Sequence, residues 1–485
     1  MERLINHLRC KKLIIASSSG VLAGSLFFSM SVLADEPLPW AEVTHQLGQT
    51  ESLPAGRLSK RALEALNETG KALFSAQFTP ADGAGRPNAT QAIIPTKTRR
   101  TREHTFFRTA GPDAAACSSC HNQPVLGGAS DFVTNVFVSE GFTQADFDSI
   151  DPQFSNERGS NHLMGAGLVE LLAREMSRDL AAVRTQALMQ ARDSKASVRL
   201  ELSSKGVSFG HITATPEGLV NLDEVDGVDD DLTVRPFSQK GVMTSLRQFT
   251  VNAMNHHHGM QADERFGLAV TGSDDFDGDG YENELSAGDV SALVAWQAML
   301  EPPVQEVPED EAWVSAALRG KAAMKDYGCT ACHRESLPLE SLDFLDPGPL
   351  DVVGTLSSKS VEEPAIYDLS LTYWAEQLPR NEAGHVLVPL FGDLKRHQMT
   401  DRNNQALGNE KLSQRFVDRT RFMTAELWGV GSTGPYGHRN DYVALRDIIL
   451  AHGGEAKAAR DAYAEADDTA QLDVVAFLKT LVILP

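Results

Sequence analysis

Cys117-Ser-Ser-Cys120-His121 and Cys329-Thr-Ala-Cys332-His333 are the stretches on which the reading of this chain turns. Each is a C-x-x-C-H, the spacing that attaches c-type haem. Two thiols one turn apart add to the two vinyl groups of one porphyrin, and the adjacent imidazole lies under the iron as its proximal ligand. The chain has 5 cysteines, and the two motifs use every one except Cys10. A disulfide within either pair would have poor geometry. No βαβ pattern surrounds either pair, and each has its histidine directly after it, which argues against a redox pair or half of a zinc ribbon. The expectation is two covalently bound haem c groups, held by Cys117 and Cys120 and by Cys329 and Cys332, with His121 and His333 as proximal iron ligands.

At 485 residues and 42% apolar content the chain can build two or three domains with sizeable cores. Its formal charge is -22 with no basic cluster, so nucleic acid and anionic membrane surfaces are poor partners. A negative field suits a small basic electron carrier, a c-type cytochrome or a cupredoxin. Residues 1–34 have the form of an export signal: Arg3, Arg9, Lys11 and Lys12, then an apolar stretch, then Val32 and Ala34 at the small-residue positions of a cleavage site. An uncleaved anchor is the alternative, but serines and glycines interrupt the stretch. Export agrees with haem attachment outside the cytoplasm and places the protein in the bacterial periplasm.

The elements read as mainly α. A helix over 58–73 leads toward the first motif, and a Gly/Pro/Arg/Thr-rich insertion fills 79–110. Residues 161–178 form a Gly-rich turn running into a helix that continues to Arg192. Alternation over 198–222 predicts a small β-hairpin. Residues 243–260 are helical and end in His256-His257-His258-Gly259. Residues 301–310 are a Pro- and acid-rich linker, which divides the chain into an N-terminal haem region (35–300), a linker (301–312) and a C-terminal haem region (313–485). The last helix runs from Asp468 to about Leu481. The two regions share an order of short blocks: Gly-Lys-Ala at 70 and 320, then L-x-G-x-G at Leu163 and Leu427, then Leu-Arg before His-Gly at Leu246 and Leu445.

The run from Leu427-Trp-Gly-Val-Gly to Pro435-Tyr-Gly-His438, with Leu445-Arg and His452-Gly-Gly-Glu-Ala, resembles the bacterial dihaem cytochrome c peroxidase and MauG superfamily, in its dihaem oxidoreductase ("thiol oxidoreductase"-like) branch. Val234-Arg-Pro-Phe-Ser-Gln-Lys240 and Asp393-Leu-Lys-Arg-His397-Gln-Met399 also match. The resemblance spans roughly 60–485 and implies two cytochrome-c-like haem domains with long loops. It implies a periplasmic haem-dependent oxidoreductase that moves electrons between two haems and reduces hydrogen peroxide. A non-enzymatic electron-transfer protein, or a MauG- or oxygenase-like enzyme acting on a larger substrate, are the alternatives. One departure is His438-Arg-Asn, where the superfamily has His-Asp-Gly. Thiol–disulfide exchange is excluded, because no cysteine remains uncommitted once the leader is removed.

The sixth iron position separates an electron carrier from an enzyme that admits an oxidant. By resemblance His452 is the distal candidate at the second haem, and the repeat places His258 at the first. Met399 and His397 compete in the second half, His162 and Met164 in the first. Glu170 is the candidate proton shuttle, and Trp296, Trp374 and Trp428 are candidate electron relays. Asp275-Phe-Asp277-Gly-Asp279-Gly280-Tyr281 copies the first half of a calcium loop. Asn283 fits its ninth position, but Ser286 stands at the twelfth, where a bidentate glutamate is usual, leaving Glu284 or Asp289 to substitute.

Overall fold

The computed structural model describes residues 46–48, 50–85, 88–90, 97–99, 115–137, 155–351 and 354–485. The leader, and most of the insertion expected over 79–110, lie outside the described residues. From Thr44 to Pro485 the chain gathers into one compact unit.

Helix α1 (Lys60–Ser75) begins where the Ser59 hydroxyl accepts the Ala62 amide, satisfying a donor that the helix itself cannot. Leu63, Leu66, Gly70, Leu73 and Phe74 recur on one face and are buried. The long helix α2 (Ala166–Ser194) starts at Gly165, whose φ of 76° needs a residue without Cβ. Helix α3 (Leu246–Ala253) starts only where Ser245 caps the Gln248 amide, so the helix expected from residue 243 is shorter. It then widens into a π turn over Met254–His258. Helix α4 (Ala287–Met299) is buried on almost every side, and α5 (Glu311–Asp326) is capped by Asp310 on the Trp313 amide. Helices α6 (Leu445–Ala451), α7 (Lys457–Glu465) and α8 (Asp468–Leu478) close the chain.

The repeated Gly-Lys-Ala has a physical meaning. A Cβ on Gly70 of α1 would lie 1.9 Å from the Ala292 carbonyl oxygen on α4. One on Gly320 of α5 would lie 1.9 Å from the Asp473 carbonyl oxygen on α8. Each half crosses two helices backbone to backbone at its glycine, and α5 leads directly into the second C-x-x-C-H.

The fold is mixed helix and sheet rather than mainly α. The expected hairpin is a three-stranded antiparallel sheet, Val198–Ser204, Val207–Ala214 and Val220–Asn221. Further strands of two to four residues pair across long sequence separations: Leu337–Leu339 with Val386–Val388, Asp343–Asp346 with Ala365–Asp368, and Arg396–Gln398 with Arg421–Met423. Such strands are too short to show an alternation in the sequence, and their partners are distant. Two pairings stitch the halves together: Gly56–Arg57 runs parallel to Ala365–Ile366, and Val304–Gln305 of the linker pairs with Leu481–Val482. The main core draws Leu63, Leu172 and Leu293 from the first half and Leu337, Tyr367 and Trp428 from the second. A smaller core around Ala317, Met324, Phe391, Val474 and Phe477 belongs to the second half alone.

Candidate haem sites and an acidic loop

At the second motif, α5 ends at Asp326, and beyond Gly328 the chain makes a 3-10 turn over Cys329–Ala331. The Cys332 and His333 amides both bond back to the Cys329 carbonyl, at 3.3 and 3.0 Å, which sets both sulfurs beside the imidazole. The thiols are not joined in a disulfide. His333 Nδ1 lies 3.2 Å from the Phe391 carbonyl, so this nitrogen carries the proton and donates it. Burial first, then the neighbouring His452 imidazole, lowers its pKa to about 4. His452, at the end of α6, is held the same way, with Nδ1 2.8 Å from the Ile448 carbonyl. Burial lowers its pKa too. Two neutral imidazoles therefore share one pocket, each with Nδ1 committed to a carbonyl and Nε2 left as a lone pair. Both are half-buried. Leu427, Val430, Tyr436 and Ile449 pack around the adjoining core. Thiols, an oriented imidazole, a neighbouring second imidazole and apolar residues nearby are a donor set that suits a covalently attached haem.

The first motif repeats the turn. The Cys120 and His121 amides bond to the Cys117 carbonyl at 3.2 and 3.1 Å. Burial, reinforced by Cys120, pushes the Cys117 thiol up to about 12. Burial likewise lowers the pKa of His121, whose Nδ1 has no hydrogen-bond partner among the described residues. Phe74 of α1 stands 6.1 Å from the His121 ring and 4.2 Å from Trp296 of α4, ring centre to ring centre. Two of the candidate distal histidines meet here. His258 Nε2 lies 3.6 Å from Cys117 Sγ, delivered by the π turn, a helix irregularity common at functional sites. His162 is lowered to about 4, mainly by burial and further by His121. Its Nε2 is 3.1 Å from the Trp428 carbonyl, which makes that nitrogen the donor. Trp428 thus joins the two motifs: a Cβ on Gly165 of the first half would lie 2.6 Å from its indole. Trp296 serves the first motif, and Trp374 Nε1 donates to the Met299 carbonyl at 3.0 Å.

Of the competing ligands, Met399 offers its backbone: its carbonyl accepts the Gly453 amide at 3.1 Å. His397 has both nitrogens engaged, Nε2 at 2.9 Å from Asp393 and Nδ1 at 2.7 Å from Glu455. Burial opposes its charge, but hydrogen bonds from Asp393, Cys332 and Glu455 outweigh it and raise the pKa to about 11. Glu170 is fully buried, and burial, against the pull of Arg174, raises it to about 7. One of its oxygens pairs with Arg174 and the other accepts the Leu246 amide at 2.7 Å.

The Lys240 and His438 blocks, far apart in sequence, converge on one buried carboxylate that the sequence did not mark, Glu410. Arg158 approaches it at 2.5 Å, Lys240 at 3.3 Å and His438 at 3.4 Å. Lys240 also sits 3.5 Å over the Phe422 ring, on which His438 stacks at 4.3 Å. Burial, then the cations Arg158, Lys240 and Arg439, drive His438 down to about 2 and keep it neutral. Glu426, also unmarked in the sequence, is raised to about 7 chiefly by burial, with Asp393 adding to it.

In the acidic loop, carboxylate oxygens of Asp275, Asp277 and Asp279 lie within 4.8 Å of one another. Asp275 accepts the amides of Gly278, Asp279 and Gly280 at 2.7, 3.1 and 3.1 Å, and Asp279 accepts that of Tyr281 at 2.7 Å. Glu284, outside that cluster, accepts the Gln261 amide at 2.8 Å, and burial, then Asp277, Asp279 and Asp275, raise its pKa well above the usual range. Ser286 at the twelfth position caps α4 instead, and Asp289 is held by the Gly48 and Thr50 amides at 3.3 and 3.1 Å. Tyr281 is exposed, and the Asn283 amide donates to the Asp274 carbonyl at 3.1 Å. Converging carboxylates without nitrogen or sulfur suit a hard divalent cation such as calcium.

No family model matches the sequence, and no curated protein matches it. Among solved structures, hydrazine synthase of Kuenenia stuttgartiensis pressurised with xenon is similar at 14% identity and a TM-score of 0.34, covering 92% of this chain and 100% of that one. A MauG-like protein associated with microbial copper homeostasis is similar at 13% identity and a TM-score of 0.28, covering 56% of this chain and 78% of that one. At these scores neither likeness carries an argument. Among the described residues no helix is long and apolar enough to cross a membrane.

Proposed function

We propose that this chain is an exported, periplasmic dihaem c-type cytochrome acting as a peroxidase-like oxidoreductase, taking electrons from a small redox protein and delivering them to hydrogen peroxide. The observation that carries the reading is the pair His333 and His452, neutral, neighbouring and each oriented through Nδ1, with His333 directly after an unbridged cysteine pair. Cys117 and Cys120 would hold one porphyrin over His121, and Cys329 and Cys332 the other over His333. Haem, when bound, supplies a one-electron iron couple and, where an axial position opens, a binding place for a small oxidant.

The chain's own residues divide the labour. The Phe391 and Ile448 carbonyls hold both second-site imidazoles in the ligating tautomer, which supports a six-coordinate electron-transfer centre there. At the first site His162 has its Nε2 tied to the Trp428 carbonyl, an asymmetry that supports the first site as the one open to oxidant. Trp428, packed on Gly165 and bonded to His162, is the tryptophan best supported as the contact between centres. Glu170 can move a proton only by leaving Arg174 and the Leu246 amide, so its role as shuttle requires that pair to open. The acidic loop supports a calcium ion bracing the start of α4.

Saturation of both irons, giving a pure electron carrier, is the second reading, favoured by the approach of His258 to Cys117. Mass analysis of the exported protein, electron spin resonance and peroxide turnover with a reduced c-type cytochrome decide between them. Two added haems, one high-spin iron in the half-reduced protein and peroxide turnover are expected. Two unreactive low-spin irons establish the carrier, and a bare polypeptide removes both readings.

A further inference from the structure

His452 is followed by Gly453-Gly454, and a Cβ on Gly454 would lie 2.1 Å from the Gln398 carbonyl, so this link is pressed against the strand Arg396–Gln398 with no side chain of its own to hold it. The Gly453 and Gly454 amides donate to the Met399 carbonyl and to Asp401, each at 3.1 Å, and a charged clamp adds to that hold. Glu455, the next residue, accepts the Gln398 amide at 2.8 Å with one oxygen and meets His397 Nδ1 at 2.7 Å with the other. The second His397 nitrogen reaches Asp393 at 2.9 Å. Asp393 is itself fixed by the Thr424 hydroxyl at 2.7 Å and the Lys395 amide at 3.0 Å. His397 is 7% exposed, and its ring lies 4.0 Å from Cys332 Sγ, so the clamp touches the same motif that supplies His333.

We infer that His397 is a positioning residue: an imidazolium clamped between Asp393 and Glu455 fastens the chain behind His452 to the strand beside Cys332, and so sets how firmly His452 holds the sixth position of the second iron. Charge-assisted hydrogen bonds to a buried cation are the stronger kind and are lost as a unit when the cation goes. The inference rests on the ligation of His452 proposed above.

The test compares wild-type protein carrying both haems with H397Q, H397R, E455Q and H452A, by mass, spin resonance of the oxidised form and carbon monoxide binding to the reduced form. H397Q is expected to keep both haems but to show a high-spin component, with carbon monoxide occupancy of the second iron about tenfold easier, equivalent to about 1.4 kcal/mol. E455Q moves the same way, and H397R, which keeps a cation between the carboxylates, restores most of the low-spin signal. H397Q or E455Q with both haems and wild-type ligation overturns the inference. Should H397Q fail to fold, E455Q decides alone, because it leaves the Asp393–His397 pair intact. Wild-type protein without haem, or a second-site low-spin signal that survives H452A, overturns the proposed ligation and the clamp together.

Discussion

Gly320→Ala tests the link from sequence repeat to site. The added Cβ would meet Asp473 at 1.9 Å from its oxygen and 2.4 Å from its carbon, and Val474 nitrogen at 2.8 Å. These are backbone atoms, so no side chain can rotate away. Non-bonded carbon contacts settle near 3.5 Å, so α5 and α8 have to part by roughly 1.5 Å. Parting them loosens the contacts of Ala317, Met324, Val474 and Phe477 in the smaller core. Alanine gains about 1 kcal/mol of helix propensity over glycine, while overpacking costs about 1–3 kcal/mol and lost core contacts add about 0.8 kcal/mol per exposed methylene. The sum is a net destabilisation of about 2 kcal/mol. Because α5 runs directly into Cys329 and His333, the second haem's absorbance shifts before global unfolding. Urea unfolding followed by circular dichroism and by haem absorbance reads both effects. Lys321→Ala, which removes an exposed pair with Glu335 and a cation 6.0 Å from the Phe477 ring centre, is the control and stays within about 1 kcal/mol of wild type. Gly320→Ala as stable as wild type, with unchanged haem spectrum, would show that the helices do not cross at this glycine.

His452→Ala leaves both haems attached, since the cysteines and His333 are untouched, but opens the second iron; carbon monoxide binding to the reduced protein should rise from negligible to stoichiometric at that site. The His397 clamp has a definite pH signature. Its pKa is raised from 6.5 to about 11 in the fold, so its contribution is complete below about 6.5 and is lost as pH rises through about 11. Facing it are Asp393, Glu455 and Cys332, and urea midpoints from pH 6 to 10 should fall more steeply for wild type than for His397→Gln; parallel curves would refute this. In the acidic loop, Glu284 is held protonated well above the usual carboxyl range, so without a cation the loop stabilises less as pH rises. Calcium displaces that proton, binds more weakly in acid, and should raise the melting temperature more at pH 8 than at pH 6. Asp277→Asn abolishes the rise, and a melting temperature indifferent to millimolar calcium would remove the site.

Much of the helical frame was legible. Helices were expected over 58–73 and from Asp468, where α1 and α8 lie, and Gly-Lys-Ala stood in both halves, but only the fold showed that each of its glycines is a helix crossing. Beyond the hairpin expected over 198–222, the short sheets were not legible, because strands such as Leu337–Leu339 and Arg396–Gln398 are shorter than the period that would reveal them, and they exist through partners tens of residues away. His397 shows the same limit at a site: its spacing allowed a ligand, while the fold surrounds it with two carboxylates and makes it a cation.

The division has one physical cause. Attachment of a porphyrin needs two sulfurs and an imidazole within five consecutive residues, so that chemistry is local and the amino-acid order alone specifies where it happens. An opposed ligand, a relay or a clamp is a distance between residues that only folding brings together. Tertiary structure alone therefore decided that His452 neighbours His333, that Trp428 touches both halves, and that Glu410 gathers Lys240, Arg158 and His438 around one buried carboxyl.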